Sequence, residues 1–199
     1  ILQEDRDITH VYLVHHETTT GFLAPLRKIG ELVKKYGKLF CVDSISSLGG
    51  HEFDLQKDNI AFCTVSANKC LESFPGVSLV IGRIEEIKKI EGKSRSFYFD
   101  LYKQWKKEQE GETPFTPAVQ TIFALDKALN EFVEEGYEKR IERYKKSTIF
   151  ISNVNINNID EIFGKSLKEL IFRNCKNTVM EFKDNINIKN DFEVYELWN

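Results

Sequence analysis

The chain has 199 residues, a formal net charge of −3 at pH 7 and a hydrophobic fraction of 41%, which is typical of one globular domain or one and a part. This mildly acidic balance disfavours a nucleic-acid partner, since duplex binding needs a concentrated basic face. Every apolar run is shorter than the roughly 18 residues of a transmembrane helix, so no membrane span is expected.

The first 82 residues alternate short apolar runs with turns and one helical pattern. Strands are predicted at residues 10–14, 39–42, 61–65 and 77–81, and a helix is predicted between Pro25 and Gly37. This order is typical of an α/β sheet. Because the strands are continuously apolar, we expect helices to cover both faces of the sheet.

The character of the chain changes after Gly82. Residues 84–113 are rich in Lys and Glu, and a long helix is predicted over residues 117–135. Gly136 interrupts this pattern, which then continues to about residue 151. Residues 152–191 have poor periodicity, and we interpret them as the start of a smaller α+β domain.

The four cysteines, Cys41, Cys63, Cys70 and Cys175, form no C-x-x-C pair, and two of them lie inside apolar runs. We therefore expect a reduced, cytoplasmic chain without a metal site. The chain opens on Ile1 and closes within a helical pattern that has no stop signal. An internal fragment of a longer protein is the expectation that follows.

Polar residues follow three of the predicted strands at the points where the strands end. Ligands of open α/β sheets bind outside the carboxyl ends of the strands, so the functional site is expected there. The three groups are His15-His16-Glu17-Thr18-Thr19-Thr20-Gly21, then Asp43 with Ser44, Ser46 and Ser47, and then Ser66-Ala67-Asn68-Lys69.

Lys69 and Asp43 are the two residues of these groups whose chemistry could work together. A partly desolvated lysine becomes a nucleophile able to form a Schiff base, and a buried carboxylate can keep a pyridinium nitrogen protonated. Their spacing suits one crossover between neighbouring parallel strands, so both side chains could reach one ring. The alternatives are a plain surface lysine and an aspartate that caps a helix or a turn.

The remaining polar residues allow other interpretations. The threonines could bond a cofactor ring or form a turn that caps the next helix. His15 and His16 could be buried strand-end histidines or lie near a cofactor. The run from Ser66 to Lys69 also matches the S-x-x-K motif of serine acyl enzymes, but the S-D-N and K-T-G partners of that motif are absent from the sequence.

Taken together, the motifs resemble those of the class V, fold-type I aminotransferases, which depend on pyridoxal 5′-phosphate (PLP). The resemblance is good from about residue 8 to 150 and weak beyond about 160. It implies an α/β large domain with a mostly parallel sheet flanked by helices (residues 1–115), a helical connection (116–150) and a partial small domain (151–199). It rests on HHETTTG, VDSISSLGG, SANKC, PG, RSFYFDLYKQW and FTPAVQTIFALDKAL.

The resemblance also implies roles for individual residues. Lys69 corresponds to the catalytic lysine that binds PLP covalently and then moves a proton on the substrate. Asp43 corresponds to the partner of the pyridinium nitrogen. Thr18 or Thr20 would bond the ring hydroxyl or atoms near it, and Asn68 lies where relatives place a residue near the phosphate.

Thr116 matches a position that reaches the phosphate of the neighbouring subunit, which implies a homodimer with shared sites. The substrates implied are a small amine and a keto acid, and HHETTTG with SANKC favours transfer from 2-aminoethylphosphonate to pyruvate, giving phosphonoacetaldehyde and alanine. Alanine–glyoxylate or serine–pyruvate transamination is the alternative within the class. A non-catalytic fragment is the other, because the phosphate-binding loop and the C-terminal carboxylate-binding arginine of the relatives have no counterpart here.

Overall fold

A computed structural model describes residues 1–153 of the chain. The predicted small domain lies almost entirely outside these residues, and the predicted domain boundaries stay predictions. The elements are β1 (His10–Val14), β2 (His16–Glu17), β3 (Phe22–Leu23), α1 (Leu26–Lys35), β4 (Leu39–Asp43), β5 (Ile60–Ser66), β6 (Ser78–Gly82), α2 (Ile84–Lys89), α3 (Leu101–Gln109), α4 (Val119–Glu135) and α5 (Tyr137–Asn153).

A four-stranded sheet with the order β1-β4-β5-β6 forms the centre of the structure. The first three strands are parallel and the last pairs antiparallel with β5, which confirms the prediction of a mostly parallel α/β sheet. The reversal follows from the short link between β5 and β6, because a parallel return needs a crossover of a dozen or more residues. All four predicted strands are found within one or two residues of their expected ends.

The two faces of this sheet are covered unequally. One face carries the buried side chains of Phe40, Val42, Cys63 and Val65, which pack in one cluster with Leu26 and Val33 of α1 and with Leu125 of α4. On the opposite face Tyr12 is 64% exposed, and Cys41 and Phe62 are only half-buried. Helices flank the sheet as predicted, but burial alternates along β1 and β4, so the second face is the less covered one among the described residues.

The sequence predicted two of the four helices that follow the sheet within the described part of the chain. The long helix α4 and its continuation α5 are confirmed, and Gly136, with a φ of 87°, ends α4 between them. The Lys- and Glu-rich segment contains two short helices, α2 and α3, that periodicity did not reveal. Asp100 caps α3 by accepting a hydrogen bond from the backbone N–H of Lys103 at 3.1 Å. No helix among residues 1–153 is long and apolar enough to cross a membrane.

The contact between α1 and the loop before β5 leaves no room for a side chain at Gly30. A Cβ atom at this position would overlap the backbone carbonyl oxygen of Asp58, which cannot move without disturbing the start of β5. We predict that Gly30→Ala lowers the free energy of unfolding by about 1–3 kcal/mol, although alanine normally favours a helix. Urea denaturation measures the change.

The matched control is Glu31→Ala, the exposed neighbour of Gly30 on the same helix. It should change the free energy of unfolding by less than about 0.5 kcal/mol. Equal stability of the Gly30→Ala variant and the parent protein would contradict the close approach of α1 to Asp58.

Candidate active site

Hydrogen bonding between the parallel strands aligns their carboxyl ends. Val14, Asp43 and Thr64 are paired across β1, β4 and β5. The ladder continues one residue further, because the N–H of His15 donates to the carbonyl of Asp43 at 2.9 Å and that of Ser44 donates to Thr64 at 3.0 Å. The three predicted polar groups therefore follow strands whose carboxyl ends lie at one edge of the sheet.

Asp43 is half-buried as the last residue of β4. One carboxylate oxygen accepts a hydrogen bond from the Tyr12 hydroxyl at 3.1 Å, and the other accepts one from the N–H of Ile45 at 3.0 Å. Burial, and next the charge of Asp43, raise the pKa of Tyr12, so its phenol stays a donor. Asp43 therefore caps the turn that follows β4, as one of the two interpretations expected. Its carboxylate has about four lone-pair sites and can accept further hydrogen bonds.

Lys69 is half-buried in the segment 67–73, called here the lysine turn, which directly follows β5. The turn closes on itself: the N–H of Glu72 donates to the carbonyl of Lys69 at 2.8 Å, and that of Ser73 donates to Ala67 at 2.9 Å. Asn68 is exposed and accepts a hydrogen bond from the Ser66 hydroxyl at 2.6 Å. The structure therefore places Lys69 and Asp43 after neighbouring strands of one sheet.

Ser66 does not have the setting that a serine acyl enzyme requires. It is the last residue of strand β5, whereas the S-x-x-K serine begins a buried helix. Its hydroxyl is also engaged with Asn68. The structure excludes this alternative for Ser66.

The threonines lie in the turn between β2 and β3, a small hairpin that follows β1. Thr18 is half-buried and Thr20 is exposed, while the N–H and hydroxyl of Thr19 donate to Glu17 at 2.9 and 2.7 Å. Helix α1 has no side-chain cap, so the interpretation of the threonines as its cap is wrong. The hairpin keeps the threonine hydroxyls near the edge of the sheet where β1 ends.

Thr116 lies in the connection between two helices. Its side chain is exposed on the segment between α3 and α4. The lysine turn, Asp43 and the threonine hairpin therefore lie at the ends of neighbouring strands, whereas Thr116 lies on the connection that precedes α4.

Three buried histidines are packed together close to the carboxyl ends of β1 and β4. His15, His16 and His51 are 3%, 3% and 6% exposed, and the rings of His16 and His51 are 5.1 Å apart between centroids. Nδ1 of His15 lies 2.9 Å from the hydroxyl oxygen of Ser47. Burial, and next the charge of His16, lower the pKa of His15 to about 4 and that of His51 to about 3. At neutral pH these rings are uncharged.

The sequence predicted that His15 and His16 could be buried strand-end histidines, and the structure confirms their burial. It did not reveal His51, which reaches them from the loop after β4 and lies outside any periodic pattern. Among the described residues, no group of three His, Cys, Asp or Glu side chains is arranged to hold a metal ion.

The fold and the composition of this edge define a class of protein, and comparison with known families agrees. The family model "Aminotransferase class-V" matches residues 3–183, so the chain belongs to the class-V aminotransferase family. The family predicted from the motifs is thereby confirmed.

Curated relatives within this family carry a more specific name. The chain is 42% identical over 153 residues to the 2-aminoethylphosphonate–pyruvate transaminase of Lysinibacillus sphaericus, covering 76% of this chain and 42% of the relative. It is 41% identical over 156 residues to a bifunctional phosphonoacetaldehyde hydrolase/aminoethylphosphonate transaminase of Clostridioides difficile, covering 77% of this chain and 24% of the relative. The chain thus spans less than half the length of these two relatives.

Solved structures support the same fold. The ureidoglycine–glyoxylate aminotransferase of Bacillus subtilis superimposes with a TM-score of 0.65 at 29% identity, covering 72% of this chain and 38% of that one. An alanine–glyoxylate aminotransferase from Nostoc superimposes equally well, with a TM-score of 0.65 at 28% identity over 71% of this chain and 39% of that one.

The buried histidines should make the protein sensitive to acid. Their pKa lies near 6.5 in the unfolded chain and lower in the fold, so between about pH 6.5 and 4 the unfolded chain binds more protons. The free energy of unfolding must therefore fall as the pH drops through this window, by up to roughly 1.4 kcal/mol per pH unit for each histidine. Urea denaturation at several pH values measures the slope.

The variant His51→Asn should flatten this slope, whereas His10→Asn, a change at an exposed histidine that begins β1, should leave it as in the parent. Identical slopes for His51→Asn and the parent protein would show that His51 becomes protonated as easily in the fold as in the unfolded chain.

Proposed function

We propose that this chain is part of a PLP-dependent aminotransferase that moves the amino group of 2-aminoethylphosphonate to pyruvate, giving phosphonoacetaldehyde and alanine. The observation that carries the proposal is the placement of Lys69 and Asp43 after neighbouring parallel strands, at one edge of the sheet. Membership of the class-V aminotransferase family supports the class of reaction.

The residues at this edge fit the chemistry of PLP. A half-buried carboxylate that accepts only neutral donors, as Asp43 does from Tyr12 and Ile45, can take a protonated ring nitrogen as a further donor. Lys69 supplies the amine for covalent attachment. Thr18 or Thr20 would bond the ring hydroxyl or atoms beside it, and Asn68 would lie near the phosphate.

Bound PLP supplies an electron sink for the substrate carbon that carries the amine. The chain's own residues then have separate tasks. Asp43 keeps the proton on the ring nitrogen, because its carboxylate favours the charged form of that nitrogen. The amine of Lys69 would take a proton from one substrate atom and return it to another. The hairpin with Thr18 and Thr20 would orient the ring.

The substrate part of the proposal comes from the relatives. Both relatives described above have aminoethylphosphonate transaminase in their names and are 41–42% identical to this chain. The Nostoc enzyme, at 28% identity, favours alanine–glyoxylate transamination as the second candidate. Higher identity to the phosphonate enzymes makes 2-aminoethylphosphonate the preferred donor.

A homodimer with shared sites belongs to the same proposal. Thr116 is exposed on the connection between α3 and α4, as expected of a residue that would reach the phosphate in the partner subunit. The three cysteines of the described residues are free thiols, which suits the proposed cytoplasmic location.

Covalent attachment of PLP to Lys69 is the direct test of the class of reaction. Borohydride reduces a carbon–nitrogen double bond between PLP and a lysine to a stable single bond, so peptide mapping of the full-length protein should find the added mass on Lys69. Lys69→Ala should abolish both this mass and the visible absorption band of the bound cofactor.

Lys57→Ala is the matched control, because Lys57 is an exposed lysine in the loop that precedes the other end of β5. It should retain the band and the mass. A band that survives in Lys69→Ala, or a mass on another lysine, would overturn the proposed role of Lys69.

The choice of substrate is tested by comparing pairs of donor and acceptor with the full-length enzyme. We expect kcat/KM for 2-aminoethylphosphonate with pyruvate to exceed that for alanine with glyoxylate and serine with pyruvate by at least about 100-fold, the discrimination that a few well-placed polar contacts provide. A higher kcat/KM for alanine with glyoxylate would establish the second candidate instead.

A further inference from the structure

Helix α5 contacts the lysine turn through a buried arginine. The side chain of Arg140 is only 4% exposed, and its Nη1 donates a hydrogen bond of 3.3 Å to the carbonyl oxygen of Cys70, the residue after Lys69. Its Nε donates to Glu135 at 2.5 Å. A guanidinium this deeply buried is stable only where carboxylates and carbonyls satisfy it, so its place relative to the turn is strongly fixed.

A second contact holds the turn two residues further on. Nη2 of Arg143 lies 3.0 and 3.2 Å from the two carboxylate oxygens of Glu72, and the Tyr144 hydroxyl donates to the same carboxylate at 2.8 Å. Glu72 has a φ of 60°, a left-handed conformation that costs a non-glycine residue roughly 1–2 kcal/mol. The contacts from α5 offset that cost and keep the turn closed.

The opposite side of the turn is also held. The Cys70 thiol donates to the carbonyl of Ser46 at 3.4 Å, and a Cβ atom at Gly50 would come within 2.7 Å of the Cys70 sulfur. Cys70 therefore has contacts on two sides, with the loop after β4 and with Arg140 of α5. Because Lys69 is its direct neighbour, the backbone of Lys69 has little freedom while both contacts are present.

We propose that Arg140 is a positioning residue for Lys69: by holding the carbonyl of Cys70, it fixes the direction in which the lysine leaves the turn. Arg143 and Tyr144 assist through Glu72. This inference rests on the proposed function only for the purpose that the positioning serves, because the contacts themselves all lie within the protein chain. It makes α5 a part of the active-site support.

The test uses the full-length protein without PLP and measures amide hydrogen exchange by mass spectrometry. Arg140→Met removes the donor to Cys70 and one of the two arginine partners of Glu135, and a buried acceptor left without its donor costs about 1–3 kcal/mol. Exchange of the amides in residues 67–73 should therefore become roughly tenfold faster or more, with residues 39–43 of β4 unchanged.

A second, milder variant still tests the proposal if Arg140→Met does not fold. Glu72→Gln removes a charge that is partly exposed, and it should accelerate exchange in the same residues by a smaller factor. Arg27→Met is the control, since it breaks the 2.9 Å ion pair with Asp58, which precedes the other end of β5. It should leave exchange in residues 67–73 as in the parent.

Unchanged exchange in residues 67–73 in both Glu72→Gln and Arg140→Met would overturn the proposal, as would an equal acceleration in Arg27→Met. A positioning role also predicts a slower covalent attachment of PLP to Lys69 in Arg140→Met, with partial recovery in Arg140→Lys. If the parent protein attached no PLP, the proposed function would fail, yet the exchange experiment would still decide whether Arg140 holds the turn.

Discussion

The hydrogen-bond register of the three parallel strands is the constraint on which the rest of the site depends. Val14, Asp43 and Thr64 lie side by side, and the backbone bonds of His15 and Ser44 carry the ladder past the strand ends. A slip of one residue in β4 would turn the Asp43 side chain to the buried face, because neighbouring side chains of a strand point to opposite faces. The aspartate and the lysine turn share an edge only in this register.

Several polar groups around that edge are engaged with one another, which stiffens the support of the site. Ser44 donates to the carbonyl of Thr64 at 2.8 Å, and His15 lies beside Ser47. Arg143, and then Arg140, lower the pKa of Glu135 to about 2, so this carboxylate stays charged and keeps both arginines in place at neutral pH. Networks satisfied in this way rigidify a structure, because each member loses its partner if another moves.

The amount that could be predicted from the sequence depended on whether the signal was local. The apolar runs predicted the four strands, and the polar residues after them predicted that Asp43 and Lys69 lie at one edge of the sheet. Helices α2 and α3 were missed because their exposed Lys and Glu residues leave only a weak apolar period. His51 and Arg140 were missed for a different reason: each acquires its meaning from partners far away in the chain, His16 and Cys70, which no local pattern specifies.

The antiparallel pairing of β5 with β6 has a consequence for how the site is assembled during folding. Ser66 and Ser78 pair across a single connection that contains the lysine turn, so the two strands beside the turn meet through contacts close in sequence, and such hairpins form within about 1–10 μs. Asp43 reaches its place only when β1, β4 and β5 associate over much longer stretches of chain, which is intrinsically slower. The strands around the lysine turn should therefore pair early, whereas the final position of the turn must wait for Arg140 of α5, about 70 residues further along the chain.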